Sequence, residues 1–402
     1  MVIFSCVLSL AFAEVILRAI YDLPNPIAKY YTVEAAKLAK TIKIQQFEFE
    51  TQHSYNEQGF RDKPISSEKV MGVDRILFVG DSFTEGKGVS EDSRFSNRLI
   101  EDLGIDYEGV NVGQLATNPD VYLDNIKRFG VALDPDLIVM GIFLGNDFQG
   151  ARGLPAPDSR QVNLTLPMQT SYSIWDSISL KFLRTLFQQV RSGKSLLTLK
   201  LDVEDKNYWE LYFNHEISKE YYAGKFNLSI EQMDMLTKGF NQDVLKQIYE
   251  GRLGPGILSE AINNQLGIKM TEPFYVNEDY EKLYAYVSES QKIATEHGIR
   301  FLVLIIPDIT QVHSNEFEEV LKRDFLMQKL PPRLHYLEEF RARLNNDLVR
   351  DNISFSDVTE ALRSTRKLTY YLYDNHMNKL GHETVSQLLL PKVREIFNSK
   401  TQ

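Results

Sequence analysis

The sequence contains the stretch Arg75-Ile-Leu-Phe-Val-Gly-Asp-Ser-Phe-Thr-Glu-Gly-Lys-Gly88, in which an apolar run leads into a glycine-containing turn. The run from Ile76 to Val79 predicts a short buried strand of a parallel sheet. Ser82 follows where this strand ends, and ligands of open α/β sheets bind at the carboxyl ends of strands. Ser82 is therefore a candidate nucleophile, although a serine here could simply cap the next turn.

Strands and helices continue to alternate after this stretch. Helix signals begin at Ser90 and stop at Gly104, and the sequence then predicts a strand at Tyr107 to Val112, a helix from Asn118 and a strand at Leu137 to Phe143. Such βα units in succession predict a parallel, doubly wound sheet.

The alternation stops after residue 150 and resumes near residue 298. Helical periodicity at Ser171 to Val190 and Ile230 to Tyr249 predicts a mainly helical insertion, rich in aromatic residues. These aromatics favour a small core over a platform for stacking sugars. The alternation resumes with a helix from Tyr280 to His297 and a strand from Arg300 to Ile306, so the core is split in two.

The amino end is apolar. Ile3 to Ala13 carries no charge and suits a signal peptide, or a membrane anchor if the segment continues to Ile20. Both readings place the rest of the chain on the periplasmic or extracellular side, and a buried helix is the alternative. The predicted organisation is an anchor or signal peptide at 1–20, a stalk with an extra strand at 21–73, core halves at 74–150 and 298–402, and the insertion at 151–297.

Composition excludes several classes of protein. The formal net charge of −10 argues against nucleic acid as a partner, because phosphate binding needs a basic surface. The single cysteine, Cys6, excludes an internal disulfide framework and a cysteine-based zinc site. Cys6 is read as a buried apolar cysteine rather than a lipid attachment site. The histidines lack ligand spacing, so no metal site is expected.

The chemistry-bearing residues fall in loops on one rim of the predicted sheet: Ser82, Gly113, Asn146, and Asp374 with His376. A serine needs an imidazole to take its proton, and the imidazole needs a carboxylate to fix its tautomer. The backbone N–H of Gly113 and the amide of Asn146 could stabilise an oxyanion. Together these residues predict acyl transfer.

Nearby residues allow other readings. A phosphate-binding loop at Gly80 to Lys87 is rejected, because the glycine spacing is too long and Gly88 stands where Ser or Thr is needed. His382 is read as structural rather than as the base. Asp81 and Asp147 are expected to hold loops through backbone hydrogen bonds.

The four blocks Gly-Asp-Ser82-Phe-Thr, Asn111-Val-Gly113, Gly145-Asn146-Asp147 and Asp374-x-His376-x-Asn378 resemble those of the SGNH (GDSL-type) hydrolases. The resemblance covers roughly residues 74 to 150 and 298 to 398. It implies a flavodoxin-like three-layer α/β/α sandwich that acts on esters without a metal or organic cofactor. It also implies Ser82 as nucleophile, His376 as base, and Ser82, Gly113 and Asn146 as the oxyanion hole.

One position departs from the family pattern. Many members place the aspartate three residues before the histidine, where this chain has Tyr373, so Asp374 is the predicted partner of His376. This spacing and the stretch Asn56 to Arg61 are similar to membrane-anchored and alginate-acetylation branches, for which a membrane acyltransferase is a candidate partner. The expected function is removal of an acyl group from a carbohydrate or lipid. The alternatives are an O-acyltransferase acting on a polysaccharide and a non-catalytic glycan-binding protein.

Overall fold

The structure is a computed structural model that describes residues 41–56, 58–151, 219–250, 252–253, 256–266, 277–327 and 333–399. The predicted amino-terminal segment at 1–20 and the predicted helix at 171–190 lie outside these ranges. Within them, no helix is long and apolar enough to cross a membrane.

The core is a five-stranded parallel sheet. Its strands are β3 (Asp74–Val79), β4 (Tyr107–Asn111), β5 (Leu137–Phe143), β6 (Arg300–Ile306) and β7 (Ser354–Asp357), which follow a separate hairpin of β1 (Thr41–Gln45) and β2 (Glu50–Ser54). The order across the sheet is β4-β3-β5-β6-β7. This is the flavodoxin-like order, so the predicted fold class is confirmed.

Helices connect these strands. In the first half of the chain they are α1 (Ser82–Glu85), α2 (Phe95–Leu103), α3 (Pro119–Asn125) and α4 (Asp147–Gly150), and in the insertion α5 (Lys219–Lys225), α6 (Ile230–Thr237), α7 (Gln242–Tyr249), α8 (Gly256–Gln265) and α9 (Asn277–Glu296). After β6 come α10 (Ile309–Val312), α11 (Ser314–Phe325), α12 (Arg333–Arg350), α13 (Thr359–Ser364) and α14 (Lys379–Asn398).

Alternate residues of the strands enter two separate cores, as expected for a sheet covered on both faces. Ile76 and Phe78 belong to the core that α2, α11 and α14 cover. Leu77 and Val79 belong to the other, which α3, α9 and α12 cover. The result is the three-layer arrangement.

The insertion contributes to the first of these cores. Met233 and Ile248 are fully buried in the same cluster as Phe78. The single helix predicted from Ile230 to Tyr249 is two helices, α6 and α7. The break occurs because the side chain of Asn241 accepts hydrogen bonds from the N–H groups of Asp243 and Val244 and so caps a new helix.

Residues 41–73 are more integrated than a stalk and linker would be. The sequence predicts one extra strand within 21–73, whereas the structure has the separate two-stranded β1–β2 hairpin there. Ile44 in β1 is fully buried. The ring of Phe60 lies 5.0 Å from that of Phe129, edge to face, inside the second core. Apolar side chains therefore fix this stretch to the sheet.

Candidate active site

Ser82 lies at the switch point of the sheet. The chain runs from β3 outward to β4 and then back to β5, and ligands of such sheets bind beside this reversal, at the carboxyl ends of the strands. Ser82 begins α1, which Asp81 caps by accepting a hydrogen bond from the N–H of Phe83 at 2.9 Å. Gly86 ends α1 with φ +86, a left-handed conformation that glycine adopts readily.

The structure brings three of the predicted site residues into one chain of hydrogen bonds. The Oγ atom of Ser82 lies 2.7 Å from Nε2 of His376. The Nδ1 atom of His376 lies 2.6 Å from Oδ1 of Asp374. The His376 ring also stacks on Phe83, with centroids 4.8 Å apart. This is the order of contacts that a nucleophile, a base and an orienting carboxylate require.

Tyr373 occupies the position three residues before His376, where many SGNH hydrolases have their aspartate. Its side chain does not contact His376 but bonds to residues of α11. Its hydroxyl donates a hydrogen bond to Oδ2 of Asp324 at 2.6 Å. Arg323 donates to the same hydroxyl at 3.1 Å. Tyr373 therefore fixes the loop to α11, and the carboxylate of Asp374 takes the contact with His376.

Lys87 completes the surroundings of Asp374. Its Nζ atom lies 2.9 Å from Oδ2, and the two side chains are only 9% and 3% exposed. Burial alone would raise the pKa of Asp374, but the Lys87 ammonium and His376 outweigh it and hold that pKa below its usual value. Asp374 is thus kept as a carboxylate. Lys87 carries no sequence signal for this role, because nothing near it in the chain points to Asp374.

The two predicted oxyanion donors are placed differently. The N–H of Gly113 donates to Oδ1 of Asn111 at 2.9 Å. Gly113 also packs on α1, because a Cβ atom there would lie 2.6 Å from the backbone nitrogen of Glu85. Asn146 follows β5 and is exposed. In the part of the chain that the structure describes, its side-chain amide has no hydrogen-bond partner. The oxyanion role of both residues stays a prediction.

Asp81 and Asp147 lie buried beneath the site. The carboxylate of Asp147 accepts hydrogen bonds from the hydroxyl of Tyr122 and the N–H of Phe143, both at 2.8 Å. Burial raises the pKa of Asp81 to about 7 and that of Asp147 well above its usual value. Their contacts are those of loop-holding residues, as expected from the sequence.

His382 belongs to the packing of α14 and not to the Ser82 chain. Its Nδ1 atom accepts a hydrogen bond from the N–H of Phe95 at 3.3 Å, and its ring stacks on the Phe95 ring. Burial lowers the pKa of His382 to about 3, so the ring is neutral.

The Asn56 to Arg61 stretch supports the loop after α1. The Arg61 guanidinium is buried and donates to the carbonyls of Gly86 at 2.6 Å and Val89 at 2.7 Å. Asn56 closes the turn before it by accepting from the N–H of Phe60 at 3.0 Å. The sequence marks this stretch only by its resemblance to membrane-anchored branches, and its contacts with the nucleophile loop are visible only in the tertiary structure.

Among the described residues, no group of His, Cys, Asp and Glu side chains could hold a metal ion.

No protein-family model and no curated protein matches this chain. Among solved structures, a GDSL-like lipase from Bacteroides thetaiotaomicron VPI-5482 has 9% identity and a TM-score of 0.38, over 83% of this chain and 93% of that chain. A carbohydrate acetylesterase family member from Sinorhizobium meliloti has 12% identity and a TM-score of 0.31, over 81% and 99%.

The aryl esterase of M. smegmatis has 12% identity and a TM-score of 0.33, over 80% of this chain and 99% of that chain. The structural neighbours are GDSL-type lipolytic proteins and esterases. Identities and TM-scores this low carry no activity over to this chain, so its own side chains must support any assignment.

Proposed function

We propose that this protein is an SGNH-type serine esterase with Ser82 as nucleophile, His376 as base and Asp374 as the residue that orients His376. The observation that carries this proposal is the chain of hydrogen bonds from Ser82 Oγ through His376 to Asp374, at 2.7 and 2.6 Å. A structural serine has no need of a buried, ion-paired carboxylate behind its histidine partner.

In the proposed reaction, Nε2 of His376 takes the proton of Ser82 as Oγ attacks the ester carbonyl. Asp374 accepts a hydrogen bond from the Nδ1–H group, which leaves Nε2 unprotonated and able to act as the base, and it stabilises the imidazolium that forms. The imidazolium then protonates the departing alcohol. Water, deprotonated by the same histidine, releases the acyl group from Ser82.

The tetrahedral intermediates place negative charge on the former carbonyl oxygen. The N–H of Ser82 lies in the first turn of α1, where helices leave N–H groups without an intrahelical acceptor. The exposed amide of Asn146 is the second proposed donor. Gly113 is the third, provided that its N–H leaves Asn111 or is shared with it. Loss of one such donor typically costs about 10²–10³ in rate.

The proposed substrate is an acyl ester of a carbohydrate or lipid. The catalytic domain is proposed to act on it on the periplasmic or extracellular side of a membrane. The support is the resemblance of the sequence motifs together with the apolar amino-terminal segment, which lies outside the described residues.

Hydrolysis of a short p-nitrophenyl ester tests the proposal. His376→Ala and His382→Ala are compared per mole of folded protein. We expect a large loss of kcat only for His376→Ala, because His382 contacts the backbone of Phe95 and not Ser82. Equal losses in both variants would remove the basis for His376 as the base.

A further inference from the structure

Glu48 reaches from the turn between β1 and β2 to the loop that carries the triad. Its carboxylate accepts three backbone hydrogen bonds, from the N–H of Leu372 at 2.7 Å, of Tyr373 at 2.9 Å and of Asp374 at 2.8 Å. The residues are more than 320 positions apart in the sequence, so this contact exists only in the folded chain.

Within the described residues, the N–H groups of Leu372, Tyr373 and Asp374 donate to Glu48 alone, although the loop around them has hydrogen bonds of its own. It is closed by a hydrogen bond from the N–H of Tyr371 to the carbonyl of His376 at 2.9 Å. Asn375, between the two triad residues, has φ +67. Asparagine adopts this left-handed conformation more readily than most non-glycine residues, and it lets the chain turn between Asp374 and His376. The Glu48 carboxylate fixes the backbone of the residues just before this turn.

Aromatic side chains of the hairpin flank the same contact. The ring of Phe49 lies 4.9 Å from that of Tyr371, and the ring of Phe47 lies 5.2 Å from that of Tyr373, edge to face. The hairpin therefore contacts the loop on both sides of Glu48. These packing contacts place the carboxylate and limit the directions in which the loop can move.

We propose that Glu48, in the turn between β1 and β2, is a positioning residue for the Asp374–His376 pair. This inference rests on the proposed esterase function. Glu48 acts through the backbone of the loop, since its hydrogen bonds among the described residues go to that backbone and not to Ser82. Displacement of a catalytic group by about 1 Å can cost about 10²-fold in rate, so an anchor of this kind has kinetic consequences.

The oxygen atoms of Glu48 have unequal roles. One accepts from Leu372, and the other accepts from both Tyr373 and Asp374. In Glu48→Gln, an amide oxygen in the second position keeps the bonds to Tyr373 and Asp374, whereas the NH₂ group then faces the N–H of Leu372. Burial raises the pKa of Glu48 to about 7, although the three backbone hydrogen bonds favour the charged carboxylate.

The kinetic test compares Glu48→Ala and Glu48→Gln with Glu50→Ala, using the full chain and a p-nitrophenyl ester. Glu50 is the matched control on the same hairpin, where its half-exposed side chain pairs with Lys43. We expect kcat to fall about 10- to 100-fold in Glu48→Ala with KM within about twofold, less in Glu48→Gln, and to stay unchanged in Glu50→Ala. A folded Glu48→Ala variant with the kcat of Glu50→Ala would overturn the proposal.

Amide hydrogen exchange gives a readout that does not depend on catalysis. The amides of residues 372–374 should exchange at least about tenfold faster in Glu48→Ala than in Glu50→Ala, since their acceptor is lost. If the parent protein hydrolyses no ester, the esterase proposal fails while this comparison still decides whether Glu48 holds the loop. Unchanged exchange in both Glu48 variants would contradict the positioning role. Should Glu48→Ala not fold, Glu48→Gln decides both comparisons through Leu372, whose N–H loses its acceptor and should exchange faster than in Glu50→Ala, with a smaller fall in kcat.

Discussion

The Nζ atom of Lys87 lies 2.9 Å from Oδ2 of Asp374, whose other oxygen is 2.6 Å from Nδ1 of His376. The carboxylate is thus shared between an ammonium on the nucleophile loop and the imidazole on the carboxyl-terminal loop. This contact joins residues 287 positions apart and connects the two halves of the core at the site. Lys87 keeps Asp374 charged in a place where burial would favour the neutral acid.

Replacement of Lys87 by methionine should therefore damage both activity and stability. Removal of one partner of a buried ion pair typically costs about 3–5 kcal/mol, because the other charge is left buried and unpaired. We expect a lower free energy of unfolding of this order and a fall of kcat of roughly tenfold or more. Urea unfolding and ester hydrolysis measure the two effects. Lys43→Met is the control, since Lys43 is 64% exposed and should change stability by less than about 1 kcal/mol.

The same pair predicts a pH dependence of stability. The pKa of Asp374 is lowered in the folded state, so the folded protein binds fewer protons there than the unfolded chain. The stabilisation is fully present above about pH 4, the usual pKa range of an aspartate, and is lost as the pH falls through the folded pKa. The difference in unfolding free energy between the parent and Lys87→Met should be smaller at pH 3 than at pH 7. An equal difference at both pH values would contradict this assignment.

Gly113 is predicted to be intolerant of a side chain. In Gly113→Ala the new Cβ would meet the backbone nitrogen of Glu85 at 2.6 Å, so α1 must shift, at a cost of roughly 1–3 kcal/mol and with Ser82 displaced. Gly224→Ala in α5 is the matched control, because nothing lies within 4 Å of its added Cβ. It should stabilise the protein by about 0.5–1 kcal/mol. Thermal unfolding and kcat are measured for both variants. Equal melting temperatures and equal kcat values in Gly113→Ala and Gly224→Ala would contradict the prediction.

A chain that begins at Asp74 should be inactive, although the sequence motifs begin there. It lacks the buried guanidinium of Arg61, which donates to the nucleophile loop, and the carboxylate of Glu48, which holds the triad loop. It also exposes the core surface that Phe60 covers. We expect poor solubility or loss of a cooperative thermal transition. Circular dichroism measures the thermal transition, and ester hydrolysis measures the activity. Activity equal to that of the full chain would show that residues 41–73 are dispensable.

The sequence predicted the sheet because its strands carry local signals. β3, β5 and β6 are nearly continuous apolar runs, each followed by a turn residue, which is how strands buried on both faces read. Ser82 and Asn146 could be grouped because each follows such a signal, and His376 could be added because its loop precedes the last helix. Their meeting in space then follows from the parallel topology.

Contacts between distant segments left no comparable signal. Glu48 and Lys87 are single charged residues in short turns, and nothing periodic relates either of them to Asp374.

The helix α11, in contrast, has a recognisable sequence pattern. Phe317, Val320 and Leu321 are buried and spaced as on one face of a helix, so its pattern could have been recognised.

Covalent trapping of the nucleophile tests the central claim most directly. The full chain is incubated with a fluorophosphonate, and the modified peptide is identified by mass spectrometry, with Ser82→Ala and Asp374→Asn treated in parallel. We predict one adduct, on Ser82, that is absent in Ser82→Ala and forms much more slowly in Asp374→Asn, since His376 loses its orienting carboxylate. No adduct on Ser82 in the folded parent protein, or an adduct that persists in Ser82→Ala, would contradict the assignment of Ser82 as the nucleophile.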